Sequence, residues 1–156
     1  MRYVEPLYRP PSEAYSLIVQ ATIGCSHNKC TFCSMYKGKK FRIRSLEEII
    51  EDLNEARRTY RQVKRIFLAD GDALIIRTQD LIHILKSINE IFPECERVGI
   101  YGSPKSILNK STDELRELNS LGLGIVYLGL ESGSDEILEK INKGVTSKDM
   151  IQAGRK

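Results

Sequence analysis

The sequence predicts an α/β fold, a partial barrel of parallel strands with helices outside, on three observations. Short apolar, strand-like runs alternate four times with segments of helical period along 156 residues. Several of the helical segments carry capping signatures at their starts and Gly or Pro at their ends. The chain is also the right length for four βα units and a little more, at roughly 30 residues per unit.

The first strand is SLIVQATI (16–23), entered from Pro10 and Pro11 and bounded by Gly24, with a cysteine-bearing loop at its C-terminal end. A helix then starts at Ser45, where Glu48 completes a capping box, and carries Leu46, Ile49, Ile50 and Leu53 as its apolar stripe to about Tyr60. KRIFLA (64–69) is the second strand. DGDALIIR follows it, then a helix from about Gln79 to Phe92 with Leu81, Ile82, Leu85 and Ile88 on one face, closed by Pro93. RVGIY (97–101) is the third strand and GSP a turn. A short helix from Asp113 to Leu121 is capped by Ser111 with Glu114 and ended by Gly122. GIVYLGL (124–130) is the fourth strand, followed by ESGS, a helix around Asp135 to Ile141, the turn NKG, and a last helix capped by Thr146 that runs to Lys156.

Right-handed crossovers would set the helices on one side of a curling sheet, and the pattern does not separate an open sheet from a closed one. Because a closed eight-unit barrel needs about 250 residues, the expectation is an incomplete barrel. Residues 1–15 read as an N-terminal extension and 16–156 as one core domain, without repeats or low-complexity segments.

Composition supports a single cored domain, with 41% apolar and 29% charged residues. The longest apolar runs fall far short of the roughly 20 residues of a membrane span. No signal-peptide core is present at the start, so a cytoplasmic, thiol-reducing compartment is expected. The net charge of +3 is too small to point to nucleic acid by itself. Basic residues gather in KGKKFRIR and RRTYRQVKR, read mainly as solvated faces.

Three of the four cysteines, Cys25, Cys30 and Cys33, fall within nine residues as C-x4-C-x2-C. In a reducing compartment that crowding argues for metal ligation rather than disulfides. Three ligands leave one metal position open for a substrate or cofactor, whereas His27 as a fourth would close a zinc site. Cys95 reads as a small apolar filler and His83 as a surface or boundary residue. Met35 and Tyr36 either pack over a cofactor or anchor the loop.

A strand running into a three-cysteine loop, with Phe32 just before the last cysteine and βα units following, resembles the radical S-adenosylmethionine (radical SAM) superfamily. That family's usual spacing is C-x3-C-x2-C, and this chain has one residue more between Cys25 and Cys30. Asp70, Gly71 and Asp72 occupy the place of the family's Gly-Gly-Glu segment, which receives the cofactor's methionine amino group. Carboxylate and carbonyl acceptors suit an ammonium, and a glycine admits close backbone approach. Ser103 of YGSP either faces the cofactor or makes a Ser-Pro turn. GLESGSDEILEKINKGVT (129–146) resembles a segment shared by the elongator-type, porphyrin-type and methylthiotransferase branches, which sets Glu131 and Ser132 beside the ribose and methionine. The bland reading of ESGSDE is an acidic helix N-terminus.

The resemblance spans about residues 16–150 of a core that normally has six strands; the last two, with adenine contacts and much of the substrate pocket, are not found here. It implies a 4Fe-4S cluster on Cys25, Cys30 and Cys33, and S-adenosyl-L-methionine cleaved reductively to a 5′-deoxyadenosyl radical that abstracts a substrate hydrogen. It also implies reduced flavodoxin or ferredoxin as electron donor. No catalytic side chain is assigned. The basic run from Lys37 to Arg44 admits RNA or another anionic substrate. The alternatives are a non-catalytic zinc or iron-sulfur module and an inactive fragment of a radical SAM protein.

Overall fold

The structure is a computed structural model that describes all 156 residues. Four parallel strands form one sheet in the order β1 (Leu17–Gln20), β4 (Arg65–Ala69), β5 (Arg97–Gly102), β6 (Leu123–Leu128). Each strand after β1 is reached through helical segments, α1 (Leu46–Thr59), α2 (Thr78–Ile91), and α3 (Pro104–Leu108) with α4 (Thr112–Ser120). After β6 come α5 (Asp135–Lys140) and α6 (Ser147–Arg155). The sheet is open, with β1 and β6 at its edges. No helix is long and apolar enough to cross a membrane.

Strand alternation sorts the side chains. Ile66, Leu68, Val98 and Ile100 point to one face, where Ile49 and Leu53 of α1, Leu81, Leu85 and Ile88 of α2, and Leu118 of α4 pack on them in one core cluster. Phe67, Tyr101 and Tyr127 occupy the other face and meet edge to face, their ring centroids 4.9 to 6.1 Å apart. The capping boxes at Ser45, Ser111 and Thr146 are all formed.

Three details depart from the sequence reading. The first strand ends at Gln20; Thr22–Ile23 (β2) turns away and pairs antiparallel with Arg42–Ile43 (β3). This two-stranded ribbon clamps both ends of the cysteine loop. The GSP turn opens α3, whose Pro104 needs no amide donor in the first turn, while Ser103 Oγ accepts from Ser106 N at 3.1 Å.

The third departure concerns KGKKFRIR, which is a solvated face only in part, with Lys37, Lys40 and Arg42 exposed. Lys39 and Arg44 are buried, and Arg44 pairs with the equally buried Asp52 at 2.7 Å. Arg42 bonds Glu48, whose carboxyl it pushes down to about 2. The N-terminal extension is also tied down: Arg2 bonds Asp52, and Glu13, fully buried, accepts from Arg97 Nη2 and Tyr127 OH at 2.6 Å each.

Candidate functional site

A cavity of about 460 Å3 opens at the C-terminal ends of β4, β5 and β6. Loops following parallel strands converge there because the strands all end on the same side. Its lining includes Cys25, Cys30, Phe32 and Cys33 from the cysteine loop, Gly71 and Asp72 after β4, Ser103 after β5, and Glu131 after β6. Eight of the ten residues singled out from sequence therefore share one cavity. Asp70 and Ser132 do not line it.

Asp70 sits beneath the cavity, wholly buried. Its Oδ2 accepts from Gln20 Nε2 at 2.8 Å, Gly24 N at 2.9 Å and Lys39 Nζ at 3.0 Å. Lys39 also donates to the carbonyls of Val4 and Pro6, so one cation joins the N-terminal arm, the cysteine loop and the end of β4. Tyr36 packs on the same place, and burial, with the Asp70 carboxylate second, drives its phenol far above the ordinary range. Ser132 is engaged locally, its Oγ accepting from Ser134 N at 3.1 Å.

Asp72, also fully buried, joins two loops: Oδ2 accepts from Ser26 Oγ at 2.5 Å, and Oδ1 from Ser103 N at 2.9 Å and Ser106 Oγ at 2.6 Å. Gly71 is where the cysteine loop comes closest; a Cβ there would lie 2.6 Å from the Tyr36 ring and 3.1 Å from Cys25 Cβ. Glycine is required by that approach.

The far side of the cysteine loop rests on the turn after α5. Thr31 N donates to Ile141 O at 2.9 Å, Asn142 Nδ2 to Lys29 O at 3.2 Å, and His27 Nε2 to Asn142 O at 2.7 Å. The imidazole is thereby directed to a backbone carbonyl. From the same turn Lys143 reaches Glu131, Nζ to Oε1 at 3.1 Å. Glu131 is held in the left-handed region (φ 61°), and Gly129 leaves room for the pair, since a Cβ there would stand 2.6 Å from Oε1.

Burial pushes the Cys30 thiol up, the Lys143 cation opposes that shift, and Cys25 and Cys33 add to it. All three cysteines face the one cavity. Thiolates are the donors that an iron-sulfur cluster uses.

Sequence reasoning missed Ser26, Ser106, Lys39 and Lys143. Ser26 lies inside the cysteine motif and Lys143 twelve residues after Glu131, but neither spacing has a local period that marks it. Lys39 was hidden in a basic run.

The family model of the radical SAM superfamily matches residues 19–156. A protein of Pyrococcus horikoshii described as an uncharacterized methyltransferase is 32% identical over 139 residues, covering 87% of this chain and 28% of that protein. The tRNA-2-methylthio-N(6)-dimethylallyladenosine synthase of Bdellovibrio bacteriovorus is 25% identical over 154 residues, covering 96% of this chain and 33% of that one. Among solved structures, a cobalamin-dependent S-adenosylmethionine radical enzyme superposes with a TM-score of 0.69 at 24% identity over 88% of this chain and 21% of that one, a likeness of fold. The chain spans a third or less of the length of these proteins. With the strand order, the cysteine loop and the family match in agreement, the chain belongs to the radical SAM superfamily.

Proposed function

We propose that Cys25, Cys30 and Cys33 hold a 4Fe-4S cluster with one iron left free, and that the adjoining cavity takes S-adenosyl-L-methionine. The observation that carries this reading is that three thiols of one loop open into the same cavity as Asp72, Ser103 and Glu131, each from a different strand end. Its volume lies within the range of roughly 300–1,000 Å3 that small-molecule sites occupy. With both groups bound, the chemistry supplied is one-electron cleavage of the sulfonium to methionine and a 5′-deoxyadenosyl radical.

The chain's own residues prepare that event. The ribbon of β2 and β3, the Asp72–Ser26 bond and the contacts from residues 141–142 hold the cysteine loop from three sides. Positioning of this kind is the protein's main contribution where a cofactor carries the reaction. Asp72 has donors on both oxygens already, so the backbone around Gly71 is the better receptor for the methionine ammonium. The Glu131–Lys143 pair sits at the cavity wall with the carboxylate one-third exposed. Opening that pair frees a carboxylate for hydroxyl donors such as a ribose and an ammonium for a carboxylate. Phe32, 53% exposed at the rim, is placed to cover the cofactor. A low-potential flavodoxin or ferredoxin would supply the electron.

The test is anaerobic incubation of the reconstituted protein with dithionite and S-adenosyl-L-methionine, with 5′-deoxyadenosine and methionine quantified. Equal amounts of the two are expected from the native chain and none from Cys25→Ala, Cys30→Ala or Cys33→Ala. Product from all three variants would refute the assignment.

A further inference from the structure

A second cleft, of about 600 Å3, lies at the opposite end of the sheet and shares no residue with the cysteine cavity. The N-terminal arm, the start of β1 and the segment between α1 and β4 form it. Three tyrosines (Tyr3, Tyr15, Tyr60) and three cations (Arg9, Lys64, Arg65) line it, with no carboxylate among the lining residues. Tyr15 is 98% exposed and Tyr60 48%, large flat rings held in solvent. Arg9 donates one of its five N–H groups to Ser16 O at 2.7 Å. Lys64 has only a rim partner, Glu96, in a pair more than half exposed on both sides. Arg65 is exposed and enters no ion pair.

In the other basic run Lys39, Arg42 and Arg44 are matched by carboxylates within the chain, and Lys37 and Lys40 are exposed without an ion pair. In the cleft the cations lie among aromatic rings and remain largely free. Cations beside exposed aromatic faces are how proteins take unpaired nucleic-acid strands, phosphates on the cations and bases stacked on the rings. We propose that this cleft binds single-stranded nucleic acid, at a site separate from the cofactor cavity and independent of whether that cavity acts as proposed above.

The experiment is fluorescence anisotropy of a labelled oligouridylate of about twelve nucleotides, a length within the range such surfaces occupy, titrated with the 156-residue chain across a salt series. Tyr15 makes no hydrogen bond in the fold, so its variants leave the core untouched. Tyr15→Ala should weaken binding about tenfold, and Tyr15→Phe should keep it, because stacking and not the hydroxyl is what the base uses. Arg65→Ala should flatten the slope of log affinity against log salt by about 0.7, the value of one phosphate contact on a single strand. Lys140→Ala, an exposed cation on α5 paired with Glu136, should change neither.

No binding at low salt would overturn the proposal. So would equal losses in Arg65→Ala and Lys140→Ala, which would make the attraction one of net charge. If Tyr15→Ala bound as well as the native chain, or polyglutamate displaced the strand as readily as unlabelled oligouridylate, the cleft would be a general anion surface and the nucleic-acid assignment would fall.

Discussion

On the helix-covered face of the sheet the buried side chains are apolar, whereas at the C-terminal ends of the same strands charged groups are buried just as deeply. Leu68 and Ile100 are wholly inaccessible among helix side chains, and so, two residues beyond Leu68, is Asp70. The first region is held by area removed from water, an attraction without direction. The second is held by directed bonds, each with a named donor and acceptor. A core can therefore adjust to a changed side chain, but the cysteine loop cannot, since its shape depends on individual bonds from Asp70, Asp72 and the turn at 141–144. Rigidity at the site comes from polar groups that the core does without.

The sharpest way to break this contrast is to remove Asp70. Asp70→Ala leaves the Lys39 ammonium buried without its counter-charge, which should cost about 3–5 kcal/mol of unfolding free energy. Urea denaturation measures it, and a loss under about 1 kcal/mol, in the range of an exposed ion pair, would show the pair to be incidental.

In the apolar region, Leu85→Ala should cost about 2–5 kcal/mol through lost burial and a residual cavity. Leu85→Met, which conserves volume, should cost less than about 1.5 kcal/mol. A core that treated methionine as harshly as alanine would have to be held by fit rather than area, and the distinction between the two regions would weaken.

A smaller effect should appear in acid. Burial alone would raise the Asp52 carboxyl, but the bonds from Arg44 and Arg2 outweigh it and hold the group below its usual value. A carboxyl depressed in the folded state stabilises fully above its unfolded pKa, about 3.9 for Asp, and that contribution is lost as pH falls through the depressed value. The urea midpoint of the native chain should drop as pH falls below about 4, and part of that drop should be missing in Asp52→Asn, which cannot titrate beside Arg44.

The same contrast explains what the sequence made legible. Helical period and capping boxes are local signals, so α1, α2, α4 and α6 start at or next to the residues expected. The apolar strand runs were equally plain. Nothing local in SLIVQATI marks the break after Gln20; Thr22 and Ile23 turn away to pair with Ile43 and Arg42, far along the chain. Ser-Pro opens a turn or a helix alike, so the sequence does not mark the short helix after Ser103.

At the site, the cysteine spacing and the family resemblance together pointed to eight of the cavity's lining residues. They did not separate Asp70, a buried partner for Lys39, from Asp72, which reaches the cavity. Two acids flanking one glycine look alike in sequence, and only the direction in which the chain leaves β4 distinguishes them. Ser26, Ser106 and Lys143 were unreadable for the same reason, since each matters through a partner from another loop.

The function proposed for the site needs three thiols at the strand ends to build a cluster with one open iron beside a cofactor cavity. Electron paramagnetic resonance of the anaerobically reconstituted, reduced chain, recorded with and without S-adenosyl-L-methionine, tests it most directly. A cluster signal that shifts when S-adenosyl-L-methionine is added is the predicted result. A cluster signal indifferent to it, or stoichiometric zinc in place of iron and sulfide, would overturn the open-iron assignment.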